Sequence, residues 1–218
     1  MSFSLVLNNI FFRTGDSNTE LLKNINLSFS SGTFTVLRGA SGSGKTTLMR
    51  LISINLSPSS GEIYYNGEEL GDLSGSKLRI LKSLIAYIPE TPVFLEHLSL
   101  YENLEYILDL EGIPKKIFFD AAMDLLKPPG LISRRYNRVS TLSSTERKLF
   151  ALTLAAARDP GAVFCDLNLT GLEDEKGIID ILGKFVSQGI CVAVTVRGKI
   201  EPELPASVIK EMENGGIR

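Results

Sequence analysis

"GTFTVLRGASGSGKTTLMRLI", residues 32 to 52, decides how the rest of the chain is read. A short β-type run ends in a glycine-rich loop at 39 to 44. The loop opens onto "KTTLMRLISINL", where Leu48, Leu51 and Ile52 share one helical face. Gly39, Gly44, Lys45 and Thr46 stand at the G-x-x-x-x-G-K-[ST] spacing. In such a loop glycines let the backbone wrap closely, so that successive N–H groups point at phosphate oxygens. The following helix adds its positive N-terminal end. Lys45 is then placed to reach β- and γ-phosphates, and the Thr46 hydroxyl to ligate Mg²⁺. The alternative is a flexible Gly/Ser loop that happens to contain a lysine. Its position between strand and helix argues against that, and nucleotide binding is the expectation.

Outward from this loop, strands and helices alternate. Residues 3–12 and 21–29 alternate apolar and polar as strands do, with the turn-rich "RTGDSN" between them. "SPSSG" breaks the helix after the loop, and "EIYYNGEEL" reads as a strand followed by an Asn66-Gly67 turn. From about 95 to 135 the pattern is helical, broken at Gly112-Ile113-Pro114 and Pro128-Pro129-Gly130. A helix at about 143–158, the strand "AVFCD", a helix at about 174–187, the strand "ICVAVTV" and a closing "SVIKEMENGGIR" hairpin complete the order. Several strands are apolar throughout, which predicts a mainly parallel sheet covered on both faces. Asp166 ends one of them. A carboxylate at a strand end is ambiguous alone; beside a phosphate loop it fits as the acid that holds Mg²⁺ through water.

Composition narrows the setting. With 44% hydrophobic and 22% charged residues, the 218-residue chain is of ordinary globular type. A net charge of −2 gives no basic excess for nucleic acid, so no nucleic-acid partner is expected. Cys165 and Cys191 lie in apolar strands rather than at metal-ligand spacing and read as core residues in a reduced cytosol. No apolar stretch reaches the roughly 18 residues that span a bilayer. A cytoplasmic protein, reaching a membrane only through a partner, is the expectation.

The order of segments resembles the ATP-binding subunits of ABC transporters over nearly the whole length. "GASGSGKTTLMRLI" is similar to their phosphate loop and helix. "SPSSGEIYYNGEEL" is similar to the segment after it, and "IAYIPETPVFLEHLSLYENL" to the stretch that couples to the membrane subunit. "STLSSTERKLFALTLAAARDPGAVFCDLNLTGLE" resembles the signature helix, second acid strand and dimer loop in their usual order. Residues 71–112 look most like the branch containing cell-division and lipoprotein-releasing ATPases. The resemblance implies an α/β fold of the P-loop NTPase (RecA-like) type: a parallel sheet core with an antiparallel β subdomain and an α-helical subdomain. It implies one nucleotide-binding domain over 1–218, with 92–141 as the helical subdomain. It also implies a permease-like integral-membrane partner on the cytoplasmic face, and a head-to-tail pair with a second such subunit, the same or different. ATP, with Mg²⁺, would lie between the phosphate loop of one subunit and the signature of the other. The implied ATP-binding residues are Gly39, Ala40, Ser41, Gly42, Ser43, Gly44, Lys45, Thr46 and Thr47, and the implied metal ligands are Thr46, Asp166 and Glu90.

Several positions depart from the family pattern. Where an acid positions or deprotonates the attacking water, this chain has Leu167, which does neither. Losing general-base help costs roughly 10²- to 10⁴-fold in rate. The histidine position that meets the γ-phosphate holds Val196; Arg197 and Lys199 are near enough in sequence to substitute as cations, though a solvated surface role is expected of both. Glu90 replaces a glutamine. Thr14 stands at the base-stacking aromatic position, with Phe11 and Phe12 as alternatives that read more readily as core. His97 reads as a surface residue. The signature L-S-G-G-Q becomes Leu142, Ser143, Ser144, Thr145, Glu146, and Glu173 replaces the dimer-loop aspartate. Ser143 or Ser144 reads equally as a plain helix N-cap with Glu146 in the first turn. Loss at both faces leaves no composite site whole, so the expected activity is nucleotide-driven closure with slow hydrolysis. Two alternatives remain: a scaffold gated by nucleotide that never hydrolyses, and a P-loop small-molecule kinase. The kinase would need a basic lid and acceptor site in place of "LSSTE".

Overall fold

The computed structural model describes residues 3–15, 19–167, 175–197 and 207–218. Two sheets organise them. The first is antiparallel, in the order β2-β1-β4-β5, from β1 (Ser4–Arg13), β2 (Glu20–Ser30), β4 (Ser60–Tyr65) and β5 (Glu68–Glu69). Asn66 and Gly67 join the last two with φ of 48° and 84°, the left-handed pair that a tight hairpin needs. The second sheet has the order β10-β9-β3-β8-β7-β6. Its members are β3 (Phe34–Arg38), β6 (Ile85–Ile88), β7 (Ala162–Cys165), β8 (Cys191–Val196), β9 (Ser207–Glu213) and β10 (Gly216–Ile217). All neighbours in it are parallel except the closing β9–β10 hairpin.

The apolar runs of the central strands have a direct cause. Val163, Cys165, Val192 and Val194 feed one core, while Ala162, Phe164, Cys191 and Ala193 feed the other. Because successive side chains point to opposite faces and both faces are covered, every position is buried. The first core lies under α3 (Leu100–Leu110), α4 (Phe118–Leu126), α5 (Ser144–Ala156) and α6 (Glu175–Ser187). The second is closed by the antiparallel sheet and by α1 (Lys45–Ile52), whose Leu48, Leu51 and Ile52 are fully buried.

Two differences from the sequence reading have physical reasons. Helix α1 stops at Ile52 instead of running on toward Leu56, because Ile54 takes a left-handed φ of 58°. Helix α2 (Gly75–Leu84) and strand β6 escaped the sequence reading, since Leu84 passes into Ile85 with no glycine, proline or turn residue between. Ser74 caps α2, which fully buries Leu81 alone and so leaves a weak periodic signal.

Candidate nucleotide site

Four strands of the parallel sheet deliver residues to one edge. β3 runs into the loop at 39–44, Glu90 follows β6, Asp166 follows β7 and Arg197 follows β8. This is the carboxyl edge of the strands, where open α/β sheets receive ligands. Leu21, Ser41, Gly42, Gly44, Lys45, Thr46, Thr47, Glu90, Asp166, Thr195 and Arg197 line a cleft of about 200 Å³ there.

The loop is fixed from behind. A Cβ on Gly39 would stand 2.3 Å from the Met212 carbonyl oxygen of β9, and one on Gly44 would stand 2.9 Å from Leu22 of β2. Gly44 also has φ of 100°, so only glycine fits without strain. Lys45 is 8% exposed, and its ammonium donates to Gly39 O and Ala40 O at 2.7 Å and to Ser43 Oγ at 3.2 Å. Burial lowers its pKa, and the positive charge of Arg197 lowers it further; Asp166 and Glu90 oppose both.

Asp166 is 4% exposed and held at two points. Its N–H donates to Ile88 O at 2.8 Å, and its Oδ1 accepts from Thr195 Oγ1 at 2.7 Å. Glu90 is exposed, with its Oε1 3.2 Å from an Arg197 amine nitrogen. Among the described residues the side-chain oxygens on the cleft wall are two carboxylates and the hydroxyls of Ser41, Thr46, Thr47 and Thr195, an oxygen set that suits Mg²⁺ completed by water and phosphate. Among the described residues, no group of three His, Cys, Asp or Glu side chains forms a cage for a metal of the protein's own.

Several expected residues stand elsewhere. Leu167 does not project into the cleft in place of an acid. Its side chain is fully buried in the core under the helices, and its carbonyl accepts from the buried Lys148 ammonium at 2.8 Å. Val196 is likewise buried. Arg197, expected as a solvated surface residue, borders the cleft and is ion-paired across it; Lys199 and Glu173 lie outside the described residues. Leu21 and Thr195 also line the cleft without having been singled out, because a lone leucine or threonine carries no spacing signal. Phe11 and Phe12 are half-buried, Phe12 against the second core, and His97 is exposed.

Ser143, Ser144, Thr145 and Glu146 form the start of α5, away from the cleft. Ser143 is the N-cap. Its Oγ accepts from Glu146 N at 3.2 Å, and Glu146 Oε2 accepts from Ser143 N at 2.8 Å. An Arg134 amine nitrogen lies 3.1 Å from Glu146 Oε1. The capping reading therefore holds, with the Ser143 hydroxyl proton left to donate elsewhere.

A family model described as ABC transporter matches residues 22–167. The hemin import ATP-binding protein HrtA of Staphylococcus haemolyticus is 34% identical over 165 residues, which are 76% of this chain and 75% of that protein. The macrolide export ATP-binding/permease protein MacB of Bdellovibrio bacteriovorus is 32% identical over 191 residues, 85% of this chain but 29% of that longer protein. Among solved structures, the dimeric post-hydrolysis state of the ATP-binding cassette MJ0796 bound to ADP and Pi superposes with a TM-score of 0.83. It is 23% identical and covers 98% of this chain and 96% of that one. A second dimeric MJ0796 structure gives a TM-score of 0.84 at 22% identity, with the same coverage of each chain. At such identities the structural likeness speaks for the fold.

Proposed function

The chain belongs to the ABC transporter family, as an ATP-binding subunit with the cassette fold, and from that premise we propose a division of labour within it. The subunit binds Mg-ATP in the cleft at the carboxyl edge of the sheet, uses the bound nucleotide to close on a second subunit, and passes that closure to a permease-like membrane partner. It cleaves ATP slowly. One observation carries the slow step: the side chain after Asp166 is a leucine packed fully into the core, so among the described residues the carboxylates on the cleft wall are Glu90 and Asp166. Asp166 is engaged by Thr195 and Glu90 by Arg197. No described side chain at the cleft stands ready as a general base, a loss of roughly 10²- to 10⁴-fold, or about 3–5 kcal/mol of barrier.

In this reading Lys45 exchanges its loop carbonyls for phosphate oxygens, and the N–H groups of 41–47 surround them. Thr46, Asp166 and Glu90 would hold Mg²⁺, which would neutralise phosphate charge. The domain is single over 1–218, with 92–141 as its helical part. Ser143 donates to a nucleotide held by the second subunit. Ser144 and Thr145 carry side chains where the family has glycines, and so limit how closely that nucleotide approaches. Bound ATP then favours the closed pair by mass action without needing to be cut.

The segment at 90–105 supports the membrane docking. Val93 is 88% exposed there and lines a cleft together with Pro92, Phe94, Ile107, Leu154 and Arg158. Arg147 of α5 bonds Glu96 of this segment and lies 4.9 Å over the Phe94 ring, so the docking stretch and the signature helix are tied to each other. No helix among the described residues is long and apolar enough to cross a membrane. A peripheral place on the cytoplasmic face, through the partner, follows from the reading. The scaffold alternative is favoured by the same buried Leu167, and differs only in having no turnover at all.

The test is equilibrium binding and steady-state turnover on the protein purified with its membrane complex. Mg-ATP binding that is lost in Lys45→Ala, with turnover at least about 100-fold below that of a family member carrying the acid, is the expected result. Hydrolysis at an ordinary transporter rate would refute the slow step, and no Mg-ATP binding at millimolar levels would refute the site.

A further inference from the structure

The substitutions Glu90 and Val196 look like two separate losses. The structure joins them through a third residue. Val196 is fully buried and turned into the core, but the next residue, Arg197, emerges at the cleft with its side chain 45% exposed. There it meets Glu90 at 3.2 Å and shares the cleft wall with Lys45, Thr46 and Asp166. We propose that Arg197 is the residue that reads the γ-phosphate at this site, held in place by Glu90 until a triphosphate takes the carboxylate's place.

The inference rests on the Mg-ATP reading and extends it to a residue that reading leaves without a role. Among the described residues four charged side chains line the cleft: Lys45 and Arg197 are positive, Glu90 and Asp166 negative. As built they balance. A glutamine at 90 would leave Arg197 uncompensated beside Lys45, and a glutamate at 90 without Arg197 would repel a polyphosphate. Each departure is tolerable because of the other. A guanidinium bonds carboxylate and phosphate with the same planar fork, so the exchange keeps its hydrogen bonding. ADP lacks the third phosphate, so with ADP bound Arg197 stays on Glu90. The pair thereby makes the site discriminate between the two nucleotides.

The experiment measures Kd for Mg-ATP and Mg-ADP on the purified chain and on R197Q, R197K, E90Q and R197Q/E90Q. Titration calorimetry suits it, with melting curves to establish folding. In R197Q the ATP affinity falls about 10- to 100-fold, as expected for loss of a charged hydrogen-bonding partner, while ADP affinity changes little. R197K recovers part of the loss, since it keeps the charge but not the fork. The E90Q arm is read in EDTA, so that a lost metal ligand stays out of the comparison. There E90Q tightens ATP when Arg197 is present and gives no such gain in the R197Q background. Equal loss of ATP and ADP in R197Q, or loss of neither, overturns the proposal. A wild-type chain that binds neither nucleotide overturns the Mg-ATP reading itself.

Discussion

Gly39→Ala is the substitution whose outcome the structure constrains most tightly. The added methyl would lie 2.3 Å from Met212 O and 2.7 Å from Ser43 Oγ. Reaching even a 3.0 Å approach requires about 0.7 Å of movement between the loop and β9. Neither side yields easily. Met212 is 3% exposed, and β9 is tied to β3 by its parallel ladder and by the ion pair of Arg38 with Glu211. Overpacking of this kind costs about 1–3 kcal/mol, which for a chain of this size lowers Tm by roughly 2–12 °C. The loop carries the second effect, because Gly39 O and Ser43 Oγ are both partners of Lys45. Displacing a positioning contact by about 1 Å can cost on the order of 100-fold, so Mg-ATP should bind roughly 10- to 100-fold more weakly. Gly42→Ala separates clash from strain. It meets nothing within 4 Å but has φ of 79°, so it should cost about 1–2 kcal/mol with no displacement of β9. Differential scanning fluorimetry and nucleotide titration read both variants. A Gly39→Ala protein with unchanged Tm and unchanged ATP affinity would refute the argument that β9 braces the loop.

Thr195→Val keeps the shape but removes the donor to buried Asp166, and should destabilise by about 1.5–3 kcal/mol in urea denaturation. Cys191 has its pKa pushed up to about 11 by burial, and Cys165 higher still, so neither forms thiolate near neutrality. Native protein at pH 8 should leave both thiols unmodified by iodoacetamide, and urea-unfolded protein should react at both; rapid native labelling would contradict the packing. Glu102, bonded by the Ser99 cap, and Glu96, bonded by Arg147, both hold their carboxyls below the ordinary value of 4.5. Their contribution is present above that pH and fades as pH falls through the lower folded values, so Glu102→Gln should flatten the acid limb of the stability curve. Ser99→Ala should cost about 1 kcal/mol through the lost cap.

Much of this was legible in the sequence because the signals are local. The loop at 39–46 announces itself by spacing, and alternation to two cores makes β7 and β8 apolar runs. Ser143 with Glu146 three residues on reads as a cap. What escaped was either without punctuation, as where α2 passes into β6, or a matter of direction. Sequence order puts Leu167 next to Asp166, but it is the strand's alternation that turns one side chain to the cleft and the other to the core. Val196 and Arg197 repeat this at the end of β8. Spacing gave Arg197 no more claim on the site than Lys199; the pairing with Glu90 across the sheet edge brings Arg197 to it.

The ammonium of Lys45 rests on three loop oxygens, so the cradle is braced by the chain's own contacts. An incoming ligand swaps one set of oxygens for another and has little chain to order, so arrival and departure should both be quick. If the proposed slow cleavage holds, the subunit would reset by letting its guest go, and its cycle would follow the cell's supply of triphosphate rather than its own chemistry.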